Sequence, residues 1–384
     1  MESGVETTRQ AAAGAAEGER ALATAVRRAL DGLAGPPALV LAFPSGAPHD
    51  GLAADLTSLG DVPVAGITGN GSIAASGAVE SGCAAIALGS GARAGFGVVE
   101  EAGDDLRSAA REATKSALDA IDHSLANTIV FLFLDTRTGD QSEAIAGAYA
   151  AAGPTVPLAG GAAGGSEPAQ VGGGRVLERA VVAVALAWPG SIGLGTAHGC
   201  RHVGLPAIVT RSQGRKVLAL NGFPAVEAYL EGIGFPGAEL NDREFEILAV
   251  THPLAQPELN GDERVRHILG RDGTALVCAT HIPENAAVMF TTETPAQVVE
   301  TAGQAVSEAT DALGGAPPSA AILFDCAGRK AAAAGSITYE VDALLGAFGA
   351  GRPPLAGLFT HGEVARIRGA KADRNHAIVT VALA

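Results

Sequence analysis

A pattern that occurs three times constrains this chain more than any other feature. Each copy opens with a short apolar run, at 38–43, 128–134 and 320–324. Each continues through small or polar residues and a helical segment. The copies end on Pro63-Val64-Ala65-Gly66, Pro157-Leu158-Ala159-Gly160 and Pro354-Leu355-Ala356-Gly357. A loop of small residues follows each: Ile67-Thr68-Gly69-Asn70-Gly71, Gly161-Ala162-Ala163-Gly164-Gly165, and Leu358-Phe359-Thr360-His361-Gly362-Glu363. Short continuous apolar runs read as buried strands. The stretch between paired strands is too long for a hairpin and suits a crossover helix. Each copy is therefore expected to be a β-α-β unit with parallel strands and a right-handed crossover. Ligands of open α/β sheets sit beyond the carboxyl ends of the strands, where these loops lie. The Pro and first Gly serve equally well as strand punctuation.

Around these units, residues 17–33 predict an amphipathic helix with Leu22, Val26, Ala29 and Leu33 on one stripe, stopped by Gly35-Pro36-Pro37. Residues before Glu17 are expected to fray. Helices are also predicted over 104–122 and 294–313, the latter capped by Thr294-Pro295. The stretches 82–88, 180–187, 208–219, 246–251 and 275–278 read as strands of mixed or antiparallel sheet. The expected fold is α/β, mixing α/β and α+β character, with a ligand pocket at the strand-end loops. The expected division is an N-terminal helical segment (1–35) and two domains (36–200 and 201–384), with the boundary near 199–204.

Composition narrows the function. The chain has 384 residues, 47% hydrophobic and 17% charged, with a net charge of −15 from 26 Lys+Arg and 41 Asp+Glu. Such a balance leaves little room for a basic face, so neither nucleic acid nor an anionic membrane is an expected partner. The longest apolar stretch, 180–188, is too short to span a bilayer. No signal peptide is visible. Cys83, Cys200, Cys278 and Cys326 are widely spaced, which points to reduced thiols in a cytoplasm.

Several residues offer chemistry. Arg329, in Asp325-Cys326-Ala327-Gly328-Arg329, reads either as a fork for a carboxylate or phosphate or as a salt bridge to Glu340 or Asp325. Cys326 reads as a thiolate nucleophile or as a small semi-buried thiol. Glu363 and Arg329 on adjacent strand ends would either hold an amino-acid-like molecule or neutralise each other. His361 is a candidate acid or base, or a polar loop residue. The loops at Gly69-Asn70-Gly71-Ser72 and 160–165 match neither a Walker A loop nor a dinucleotide fingerprint in context. Arg137 is a further possible anion contact, or a solvated loop charge. Among the histidines, which include His123, metal-ligand spacing occurs only for His198 and His202. These straddle Gly199-Cys200 and would not share a face, so no metal is expected.

Taken together, these segments resemble the FIST family, with its paired N-terminal and C-terminal regions, over nearly the whole chain. In the first region, Val64-Ala65-Gly66-Ile67-Thr68-Gly69-Asn70-Gly71 is similar to the family's G-[CS]-[ST]-T-x-G-E loop, and Pro157 to Gly164 to its P-x-x-G-G-x-A-G segment. In the second, Val209-Thr210 through Asn221-Gly222-Phe223-Pro224-Ala225 resembles V-T…I-x-G-x-P-A. Cys326-Ala327-Gly328-Arg329, Glu340, Gly357 with Gly362-Glu363, and Asn375 resemble the closing C-x-x-R, E, G-x-x-x-x-G-E and N. Gly69 and Ser72 depart from the family's Thr and Glu. The resemblance implies an intracellular sensory module that binds small ligands such as amino acids and signals through a separate output partner. One branch binds haem and senses nitric oxide. Scarce aromatics (4%) and the lack of an evident axial His make haem a minor expectation here, and no other cofactor is expected. The expected ligand-binding set is Thr68, Asn70, Gly161, Cys326, Arg329, Glu340, Thr360, Glu363 and Asn375. The competing expectation is an enzyme acting on a similar small molecule through Cys326, or through Glu363 and His361.

Overall fold

The computed structural model describes residues 10–89, 91–103, 105–121, 127–258, 263–333, 337–366 and 373–384. The chain is a mixed α/β protein built as two bodies. All three repeats fold as β-α-β units. Leu39–Ser45 pairs in parallel with Val64–Ile67, Asn127–Asp135 with Leu158–Ala163, and Ala320–Cys326 with Leu355–Thr360. The crossings contain His49–Leu59, Gln141–Ala152 and, in the third repeat, Ala327–Ala332 with Ile337–Ala347.

Each unit is extended in the same way. An antiparallel strand packs on its other edge: Gly82–Leu88, Val181–Trp188 or Ala377–Leu383. Outside that strand lies a leader, Ala11–Glu17, Arg93–Val99 or Ile192–His198. The sixth and fifth places of each sheet are filled by a hairpin from a different repeat. The hairpin of Ser72–Ala74 and Gly77–Val79 joins the third repeat's sheet. That of Gln170–Gly172 and Arg175–Leu177 joins the first, and that of Glu363–Arg366 and Asp373–Arg374 joins the second. The exchange is cyclic and ties the three sheets into one ring.

Strand alternation decides what each face meets. Leu39, Leu41 and Phe43, Ile129, Phe131 and Phe133, and Ile322 and Phe324 all point into one shared core. Phe324 lies 5.7 Å from Phe43 and 6.3 Å from Phe131, ring centre to ring centre. Burying a side chain of this size contributes about 1.5–3 kcal/mol. The alternate residues face helices on the outside: Val40 and Ala42 against Ala21–Asp31, and Val130 and Leu132 against Leu106–Asp119.

The Pro-x-Ala-Gly glycines have a steric reason to be glycine. Gly66, Gly160 and Gly357 stand opposite Ala42, Leu132 and Leu323. A Cβ there would fall 1.8, 2.1 and 2.5 Å from the carbonyl oxygens of those residues. Only a residue without a side chain lets the strands approach so closely.

The second body, 201–292, is inserted in the third repeat between Ile192–His198 and Pro295–Asp311. It carries an eight-stranded antiparallel sheet, two helices (Ala225–Gly232 and Asp242–Thr251) and its own core around Tyr229, Phe245 and Phe290. His281 N–H donates to Asp140 of the second repeat at 3.0 Å, which helps dock this body on the ring.

Two sequence expectations need correction. The segment before Glu17 is ordered from Ala11 as a strand, because its Ala and Gly residues pair with the full length of Gly82–Leu88. The helix behind it is Ala21–Asp31. Residues 246–251 are helical, within Asp242–Thr251: Asn241 and Glu244 form a reciprocal capping box, and Phe245 and Ala249 bury one helical face. The other two predicted helices are Leu106–Asp119 and Pro295–Asp311. Asp104, Asp122 and His123 lie outside the described residues.

Candidate functional site

The strand registers make the ends of the three repeats directly comparable. One residue before the Ile or Val that faces each Pro-x-Ala-Gly glycine stands a buried polar side chain: Ser72, Gln170 or Glu363. Three residues past Ala42, Leu132 and Leu323 stand Ser45, Asp135 and Cys326, also buried. In every repeat these two positions meet. Ser45 Oγ and Ser72 Oγ are 3.3 Å apart, and Ser72 also donates to Phe43 O at 2.7 Å. Gln170 donates to Asp135 at 3.3 Å and to Leu134 O at 3.0 Å. In the third repeat the Cys326 thiol donates to the Glu363 carboxyl.

The Asp135–Gln170 pair is closed, while Ser45 borders a separate cavity of about 400 Å³ at the first repeat's strand end. Asp135 is capped by Arg137 at 2.7 Å and by the Arg179 N–H at 2.8 Å. Burial opposes its ionisation, but the Arg137 bonds hold its carboxyl below the usual range. The third pair opens on a cavity of about 440 Å³ between the ring and the inserted body. Cys326, Thr360, Asn375, Asn70, His361 and Gln141 line it from the ring, and Arg215 and His267 from the inserted body.

The mouth of this cavity is set by one more triple of equivalent residues, Asn70, Gly164 and His361. A Cβ on Gly164 would fall 2.2 Å from the His361 ring, so the glycine makes room for the imidazole. Asn70 Nδ2 is 2.8 Å from His361 Nε2. Burial lowers the His361 pKa, which keeps the ring neutral near pH 7.

Behind the cavity wall lies a chain of buried charges. The Arg329 guanidinium is fully buried, with Glu340 at 2.7 Å, Asp325 at 3.2 Å and Glu293 at 3.6 Å. Burial and then the Glu340 charge push Asp325 far above the carboxylate range. Burial also raises Glu340, against the pull of Arg329. Glu293 meets His376 Nδ1 at 2.9 Å, and His376 Nε2 meets His267 Nδ1 at 2.8 Å. Burial, then His376 and His361, lower His267 to about 3. Glu363 accepts from Thr360 Oγ1 at 2.7 Å, yet burial pushes it up to about 8, so it is mostly protonated at neutral pH. Burial, then the Glu363 charge, raise the Cys326 thiol well above its ordinary value.

Of the residues predicted from sequence, Asn70, Cys326, Thr360 and Asn375 line the cavity. Thr68 does not; its hydroxyl donates to Gly164 O at 2.9 Å and fixes the loops to each other. Gly161 lies in the strand opposite Glu363, where a Cβ would meet Thr360 at 2.7 Å. Glu363 sits one layer back, behind Cys326 and Thr360. Arg329 and Glu340 are spent on each other, so the guanidinium meets carboxylates of the protein rather than the cavity. Arg137 is likewise engaged with Asp135 and Glu178. Reasoning from sequence missed Arg215, Gln141 and His267. Arg215 and His267 reach the cavity only because the inserted body folds back on the ring, and no local spacing announces that.

Residues 38–222 match the FIST N domain and residues 225–366 the FIST C domain. The chain belongs to the FIST family. FIST domains are associated with signal transduction and sensing. An uncharacterized protein of Mycobacterium tuberculosis (strain CDC 1551 / Oshkosh) is 32% identical over 203 residues, 50% of this chain and 51% of its own. An uncharacterized protein of Mycobacterium bovis is 31% identical over 207 residues, 51% of each chain. This FIST chain thus spans about half the length of the curated relatives it matches. Among its described residues, no helix is long and apolar enough to cross a membrane.

Proposed function

We propose that this FIST protein binds a small carboxylate, amino-acid-like in kind, in the cavity at the third repeat's strand ends, as the input of a sensory response passed to a separate protein. The observation that carries this reading is the company Arg215 keeps. An exposed cation on the inserted body (Arg215), two side-chain amides (Asn70 and Asn375) and the Thr360 side chain line a space of about 440 Å³. That volume admits an amino-acid-sized molecule with room to spare, and a few polar groups set in a largely apolar wall would fix its orientation. A guanidinium binds a carboxylate through two parallel hydrogen bonds. The amides and hydroxyl supply the donors and acceptors that an α-amino or hydroxyl group needs. Four buried free thiols support a reducing, cytoplasmic setting.

The test is a thermal-shift screen against amino acids, small carboxylates and haem. A ligand at about 100 times its Kd stabilises by about 2.7 kcal/mol. The reading expects carboxylates to raise the wild-type Tm and to leave Arg215→Ala unmoved. A panel with no response, or an Arg215→Ala variant that responds like wild type, removes it.

One observation favours a second reading, an enzyme: the Cys326 thiol lines the cavity with a carboxyl behind it. Its raised pKa makes the resting thiol a weak nucleophile, which is why binding ranks first. Fast alkylation of Cys326 at neutral pH, slowed by ligand, would reverse that ranking.

A further inference from the structure

We propose that Cys200, Glu293 and His376 form a site for one divalent cation of the zinc type, which clamps the inserted body to the ring. The three residues are far apart in sequence, but their ligand atoms all lie within 4.8 Å of one another, and all three side chains are buried. Their positions in the chain are informative. Cys200 follows the leader strand Ile192–His198, where the chain leaves the ring. Glu293 precedes the helix Pro295–Asp311, where it returns. His376 precedes Ala377–Leu383, the strand that closes the third sheet. An ion held by these three fastens both crossings to the ring at one point.

The surroundings orient each ligand. Gly199 N–H donates to Glu293 Oε1 at 3.2 Å, and the Arg329 guanidinium approaches the same oxygen at 3.6 Å. Oε2 is left facing His376 Nδ1 at 2.9 Å. His376 Nε2 meets His267 Nδ1 at 2.8 Å, the kind of outer contact that fixes the tautomer of a metal-bound imidazole. A mixed sulfur, nitrogen and oxygen set suits zinc, and three protein ligands leave a fourth tetrahedral place for a water or a small molecule.

The charges also close. A thiolate and a carboxylate neutralise a dication, so the loaded site carries no net charge into a dry interior. Loading releases the Cys200 thiol proton, while the imidazole proton of His376 resides on Nε2, facing His267 Nδ1, so that Nδ1 offers its lone pair to the ion. Because His267 both contacts His376 and lines the cavity, the ion sits two side chains behind the ligand space.

The experiment is a titration of chelator-treated, reduced full-length protein with Co²⁺, followed by the thiolate-to-cobalt charge-transfer absorption. The proposal expects saturation at one ion per chain, displacement by Zn²⁺, and loss of the band in Cys200→Ser. His267→Gln, which touches the ion only through His376, should weaken Co²⁺ binding by about 10–100-fold while keeping the band. Should Cys200→Ser not fold, Cys83→Ser, Cys278→Ser and Cys326→Ser carry the test, since each must keep the band. The proposal is overturned by the absence of a saturable band, by a band that survives Cys200→Ser, or by one that disappears in Cys326→Ser.

Discussion

The first two repeats and the third share a backbone plan but spend their buried polar residues differently. Ser45–Ser72 and Asp135–Gln170 satisfy themselves and neighbouring backbone, whereas Cys326–Glu363 sits at the floor of a cavity with a buried guanidinium beneath it. The inserted body explains the difference. It enters only the third repeat and walls off that repeat's strand ends with Arg215 and His267. A threefold scaffold thus offers three equivalent loci, and the insertion gives the third a second wall that the first two lack.

The largest expected effect probes the fully buried guanidinium of the third repeat, Arg329. Arg329→Ala leaves Glu340, Asp325 and Glu293 buried without their cation and should cost about 3–5 kcal/mol in chemical denaturation. A loss under about 1 kcal/mol would mean the third repeat does not depend on this network.

Next comes pH. Glu363 binds its proton more tightly folded than unfolded, with its pKa rising from 4.5 to about 8. The native state therefore holds the extra proton between those values. Stability falls as pH rises through that window, by at most about 1.4 kcal/mol per pH unit. Glu363→Gln, which mimics the neutral Gln170 of the second repeat, should flatten the difference in Tm between pH 5 and pH 8. An unchanged pH slope would show that Glu363 is not held neutral.

The smallest effect sharpens the contrast from the other side. Ser45→Ala removes a hydrogen bond worth about 1 kcal/mol and should leave ligand response untouched. Thr360→Val should abolish the response at similar cost in stability. Equal loss of response in both variants would dissolve the distinction between the repeats.

Much of the ring was legible in the sequence because apolar runs ending in Pro-x-Ala-Gly specify buried parallel strands whatever their surroundings. The exchanged hairpins were not. Ser72–Ala74 and Gln170–Gly172 are three residues each, too short to show a period, and their partners lie in another repeat. Ala11–Glu17 was hidden because Ala and Gly carry no strand preference, and Asp242–Thr251 was misread because Ile247-Leu248-Ala249-Val250 is apolar in either conformation. At the site, the strand-end pattern pointed to Asn70, Cys326 and Thr360, and the family resemblance to Asn375. Residue type alone could not tell that Arg329 and Glu340 close on each other. That outcome depends on the Ile337–Ala347 helix delivering Glu340 into the same buried space.

The measurement that tests the account most directly is calorimetric titration of wild type and Arg215→Ala with the carboxylate that gives the largest thermal shift. The account predicts one ligand per chain for wild type and loss of binding in the variant, with the variant's Tm unchanged in the absence of ligand. Full-strength binding by Arg215→Ala, or no binding by wild type at all, would contradict it.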